Sequence, residues 1–90
     1  MKYLSIDKKQ MSNIYKKIGS NVKKSRESKG LSQLALALAI GHKAVGMISL
    51  AELHKNNKHF NIEQLFKIAN VLDVDINEFF KEIEYKKNKS

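Results

Sequence analysis

Between Gly30 and Glu52 the chain permits very few backbone paths. Ser32 is a good N-cap, because its hydroxyl accepts from the orphan N–H groups of a helix that follows it. Leu36, Ala37 and Ile40 then fall on one face at helical spacing. Gly41 stands where that helix has to stop, since glycine takes a left-handed C-terminal conformation without strain. A second apolar-periodic run holds Val45, Ile48 and Leu50. The stretch predicts two short helices, about seven residues each, set at an angle by a glycine turn.

No proline occurs in the ninety residues, so helices can extend on both sides of this pair. A first helix begins at Lys8 or Ser12, with Ile14, Ile18 and Val22 as its core stripe and lysines filling the rest. Gly19 weakens it by about 1 kcal/mol relative to alanine, and Gly30 ends it. The second helix, from about Gln33 to Ile40, is apolar nearly all round. Leu34 and Leu38, four apart, are either covered by the chain's own termini or offered to a protein partner. The third helix spans about Ala44 to Leu53, and a polar loop to Phe60 follows. Asn61 caps a fourth helix, with Gln64 completing a capping box and Ile62, Leu65, Phe66, Ile68, Ala69 and Leu72 as its stripe. Asp75 caps a fifth, whose apolar face is Ile76, Phe79, Phe80 and Ile83. The expectation is an all-α domain over residues 12–83, with an N-terminal arm at 1–11 and a basic flexible tail at 84–90.

Charge narrows the function. The net charge is +8, and the first thirty residues carry nine Lys/Arg against two acids. A basic segment on a small domain suits phosphate backbones, which attract Lys and Arg through counterion release. The N-terminal end of the third helix, with His42, Lys43, Ala44, Val45 and Gly46, is where base-reading residues would sit. The following loop, punctuated by asparagines such as Asn57, lays Lys55, Lys58 and backbone N–H groups along phosphates. An enzyme is not expected. Cysteine is absent, His54 and His59 lie on a loop without a carboxylate or thiol to complete a metal set, and no phosphate-binding glycine loop or nucleophile motif occurs. The three histidines read as solvated loop residues. No cofactor is expected. With no apolar run of membrane length and no secretory signal, the chain reads as a cytoplasmic protein.

The order of residues from Ile18 to Phe80 resembles the phage-repressor/Cro type of helix-turn-helix domain, the XRE family. The resemblance is carried by Arg26, Gly30-Leu31-Ser32-Gln33, Leu36-Ala37, Gly41, Ile48-Ser49 and Glu52. It continues through Asn61-Ile62-Glu63-Gln64-Leu65, Ile68-Ala69 and Leu72 to Phe79. It implies a compact five-helix bundle of the lambda-repressor-like type. It also implies a homodimer that binds double-stranded DNA, inserts its third helix into the major groove, and acts as a repressor or autoregulator. Gln33 would contact a phosphate with Ser32 beside it, Arg26 and Glu52 would form a structural ion pair, and Ser49 would reach a phosphate or base. The alternative on the same fold is an antitoxin-like or adaptor module whose main contact is a protein, through Leu34 and Leu38. The sequence departs from the family pattern in four places. The turn into the third helix and the loop after Glu52 are both longer than usual. His54 stands near the usual glycine. Phe60 replaces the usual proline.

Overall fold

A computed structural model describes residues 6–41 and 45–84. Four α-helices and two 3-10 turns make up the regular structure, and no strand occurs among the described residues. The helices are α1 (Lys8–Ser28), α2 (Gln33–Ala39), α3 (Val45–Leu53) and α4 (Ile62–Leu72). The 3-10 turns are Lys55–Asn57 and Ile76–Phe80.

Helix α1 starts at Lys8, the earlier of the two expected starts. Asp7 accepts from the Gln10 N–H at 2.8 Å, and the Gln10 side chain accepts from the Asp7 N–H at 3.1 Å. This reciprocal cap fixes the first turn, so residues 8–11, expected in an arm, are helical. The caps of α2 and α4 form as the sequence implies. Ser32 Oγ accepts from Ala35 at 3.0 Å, and Asn61 and Gln64 exchange bonds of 2.7 and 2.9 Å. Gly41 takes φ +74° just past α2, the conformation that stops that helix.

The expected fifth helix is instead a single 3-10 turn. Asp75 caps it, but Asn21 of α1 intervenes at its end. The Asn21 amide donates to the carbonyls of Phe79 (3.1 Å) and Lys81 (2.8 Å). In a continuing α-helix the Phe79 carbonyl would instead accept from four residues on. Lys81 is extended and Glu82 has φ +57°. Phe79 is nonetheless fully buried, while Phe80 faces outward.

The core joins Ile18 and Val22 of α1, Leu36 and Ala37 of α2, Ile48 and Ala51 of α3, and Leu65, Ile68, Ala69 and Leu72 of α4. Phe60 and Phe79 close its edges. Ile62 and Phe66, expected in the α4 stripe, lie on its outer face and are more than half exposed. The α1–α3 crossing passes through Gly19. A Cβ there would lie 2.4 Å from the Ala51 carbonyl oxygen and 2.7 Å from that of Glu52. Gly19 is therefore a close-approach residue, and its cost to helix propensity is secondary.

Candidate nucleic-acid interface

Three elements converge on one buried carboxylate. Glu52 of α3 has a side chain 1% exposed. Its Oε2 accepts from Arg26 Nε at 2.7 Å, and its Oε1 accepts from Arg26 Nη2 at 3.0 Å and from Gln33 Nε2 at 2.9 Å. Arg26 Nη1 also donates to the Leu31 carbonyl at 2.8 Å. The two-point pairing is a charge-assisted, planar fit, and the bond to Glu52 holds the Arg26 guanidinium still more firmly protonated. One ion pair thus registers α1, α2 and α3 together. Gln33, assigned to a phosphate by the resemblance, commits one of its two side-chain N–H donors to this network.

Outside that lock, the expected DNA-facing residues divide. Ser32 is exposed; its hydroxyl oxygen caps α2 and its proton remains a donor. His42, Lys43 and Ala44 lie outside the described residues. Val45 is half-buried and packs partly against the core. Gly46 is exposed, with no atom near its missing Cβ, so the first turn of α3 presents bare backbone. Ser49 is half-buried, and Lys55, Asn57 and Lys58 are all exposed on the loop.

The loop backbone is unusual. His54, near the usual glycine of the pattern, takes φ +52°, and Asn56 and Asn57 take +53° and +57°. The left-handed region costs a non-glycine residue of order 1 kcal/mol, less for asparagine. Two bonds close the loop: Lys58 N–H to the Lys55 carbonyl at 2.9 Å, and His54 Nδ1–H to the Lys58 carbonyl at 3.1 Å. Phe60, at the position of the usual proline, is 4% exposed and anchors the exit to the core.

Sequence reasoning missed the role of the loop histidines. His59 stacks on Tyr15 of α1 with ring centroids 3.6 Å apart and planes 9° apart. His54 stands 5.5 Å from Tyr15 and 5.6 Å from His59. His59 Nδ1 is buried without a hydrogen-bond partner. Burial, with His54 alongside, pushes the His59 pKa below its ordinary value. A signal for this contact lies in α1. Tyr15, Gly19, Val22 and Arg26 recur at helical spacing, and Tyr15, Gly19 and Arg26 each meet α3 or the loop after it.

Leu34 and Leu38 are 53% and 66% exposed, uncovered by any described part of the chain. No group of three metal-ligating side chains occurs among the described residues, and none of their helices is long and apolar enough to cross a membrane.

A family model described as "Helix-turn-helix" matches residues 22–79. Among solved structures, the chain is similar to the restriction-modification controller protein C.AhdI from Aeromonas hydrophila. The identity is 27% and the TM-score 0.65, over 73% of this chain and 96% of that one. No curated protein sequence matches. The family is one of DNA-binding regulators rather than enzymes. The ordered residues, the Arg26–Glu52 lock between α1 and α3, and these matches agree: the chain belongs to the XRE-type helix-turn-helix family.

Proposed function

We propose that the protein is a sequence-specific regulator of transcription that binds double-stranded DNA, with α3 entering the major groove N-terminus first. The observation that carries this reading is the exposed bare backbone of Gly46 at the tip of α3. Along the chain it lies between the Ser32-capped start of α2 and the exposed loop of Lys55 and Lys58. Helix starts and basic side chains fix position on phosphates, while the tip of α3 reads base edges. On this reading His42, Lys43, Ala44, Val45, Gly46 and Ser49 face bases, and Ser32, Gln33, Lys55, Asn57 and Lys58 face the backbone. A repressor or autoregulator acting as a homodimer in the cytoplasm completes the proposal. The exposed Ile62 and Phe66 of α4 are the apolar surface offered to a second copy.

Selection of bound duplexes from a random pool tests the reading. A two-fold symmetric consensus is expected, with log K falling by about 0.9 per phosphate contacted as log salt rises. No enrichment and no duplex binding at low salt would overturn it. A second reading, an adaptor or antitoxin-like module, is favoured by the uncovered Leu34 and Leu38. A stoichiometric protein complex that forms without DNA and is abolished in Leu34→Lys/Leu38→Lys would support that reading instead.

A further inference from the structure

Tyr15 lies before the family match at residues 22–79, yet it makes the tightest ring contact among the described residues. Its partner His59 ends the loop that carries Lys55, Asn57 and Lys58, and its neighbour His54 begins that loop. The loop has three left-handed non-glycine residues and is closed by the bond from Lys58 to Lys55 and the bond from His54 to Lys58. Three such residues favour alternative backbone paths, so an external hold is needed to keep one. Tyr15 supplies it by gripping both ends of the loop at once.

We propose that Tyr15 is a positioning residue for DNA binding: the Tyr15–His59 stack, with His54 tilted against both rings, seats the loop so that Lys55 and Lys58 reach phosphates together. The inference rests on the DNA-binding reading and goes beyond it, because it assigns a role in the interface to a side chain that this reading does not set against DNA. The long loop and the N-terminal half of α1 are then one device. A loop with extra residues needs a clamp, and the part of α1 that precedes the family match provides it.

The test is duplex affinity against salt for the full chain, on a duplex selected by the wild-type protein. Tyr15→Ala is expected to bind about tenfold more weakly, with a salt slope lower by about 0.9 for each phosphate that the loop no longer reaches. Tyr15→Phe keeps the stack and is expected to retain the wild-type slope. His59→Ala removes the clamp from the loop side, leaves α1 whole, and should reproduce the weakening. In a Lys55→Ala/Lys58→Ala background, Tyr15→Ala should add nothing, because residues acting through the same interactions are not additive. Wild-type binding together with an unmoved slope in both Tyr15→Ala and His59→Ala overturns the inference alone. So does an equal weakening from Tyr15→Ala in both backgrounds, the result expected of a purely structural tyrosine. Absence of duplex binding by the wild-type protein would remove the DNA reading itself, and this inference with it.

Discussion

Replacing Gly19 with alanine sets two effects of opposite sign against each other. Helix propensity favours alanine by about 1 kcal/mol in the interior of a helix such as α1. The crossing with α3 opposes it. The new Cβ would sit 2.4 Å from the Ala51 carbonyl oxygen and 2.7 Å from that of Glu52. These are backbone atoms, so no rotamer change relieves the overlap. To restore ordinary contact, α3 must retreat by about 1 Å. That shift would loosen Ile48 and Ala51, both fully buried, and stretch the 2.7 Å bond from Arg26 to Glu52. Overpacking of a core typically costs about 1–3 kcal/mol, and a rigid backbone neighbour puts this case at about 3 kcal/mol or above. The net expectation is a destabilisation of about 2 kcal/mol. In a domain of this size each kcal/mol moves the melting midpoint by about 4–8 °C, so Tm should fall by about 8–16 °C. Thermal and urea unfolding followed by far-UV circular dichroism measure both quantities. A midpoint equal to or above that of wild type would mean that propensity wins and that α1 and α3 do not cross this closely.

Arg26→Ala should destabilise the fold by about 3–5 kcal/mol, because it strands the buried Glu52 carboxylate; unchanged melting would refute the lock. The His59 pKa lies below the ordinary 6.5 in the folded state, so the unfolded chain binds a proton more readily. Its contribution to stability is full above about pH 6.5 and is lost as pH falls from there through the folded pKa. His59→Phe should flatten that part of a Tm–pH curve; an unaltered curve would show that His59 is not the titrating group. Lys43→Ala should weaken operator binding and relax sequence preference, whereas Lys58→Ala should weaken all duplexes about equally and lower the salt slope by about 0.9. Even weakening across sequences in both variants, measured by competition with mutated duplexes, would remove Lys43 as a base reader.

What the sequence made legible is local. The Ser32 and Asn61 caps depend on residues three positions apart, and both form as expected. Gly41 ends α2 through its own backbone preference. The Arg26–Glu52 pair was legible only through the family resemblance, because no local rule joins residues 26 apart. The misreadings are tertiary. Periodicity suggested a fifth helix, but Asn21, nearly sixty residues earlier in the chain, captures the carbonyls that would have extended it. Gly19 read as a propensity defect because nothing nearby in sequence shows that α3 will press against it. His54 and His59 read as solvated because their aromatic partner lies on another helix. Ile62 and Phe66 matched a helical period, yet the narrower stripe of Leu65, Ile68, Ala69 and Leu72 satisfies the core and leaves them outside.

The bonds from Asn21 to Phe79 and Lys81 also bear on how the protein is made. During synthesis α1 emerges before the other helices described, with the buried Asn21 and only Ile18 and Val22 of the core. The residues that complete both arrive 58 and 60 positions later. Phe79, fully enclosed in the finished domain, arrives at the same late stage. The core and these two bonds cannot be completed until the segment through Lys81 has been made. Premature termination before Phe79 would leave an exposed apolar intermediate, a substrate for proteases, in place of a smaller working domain.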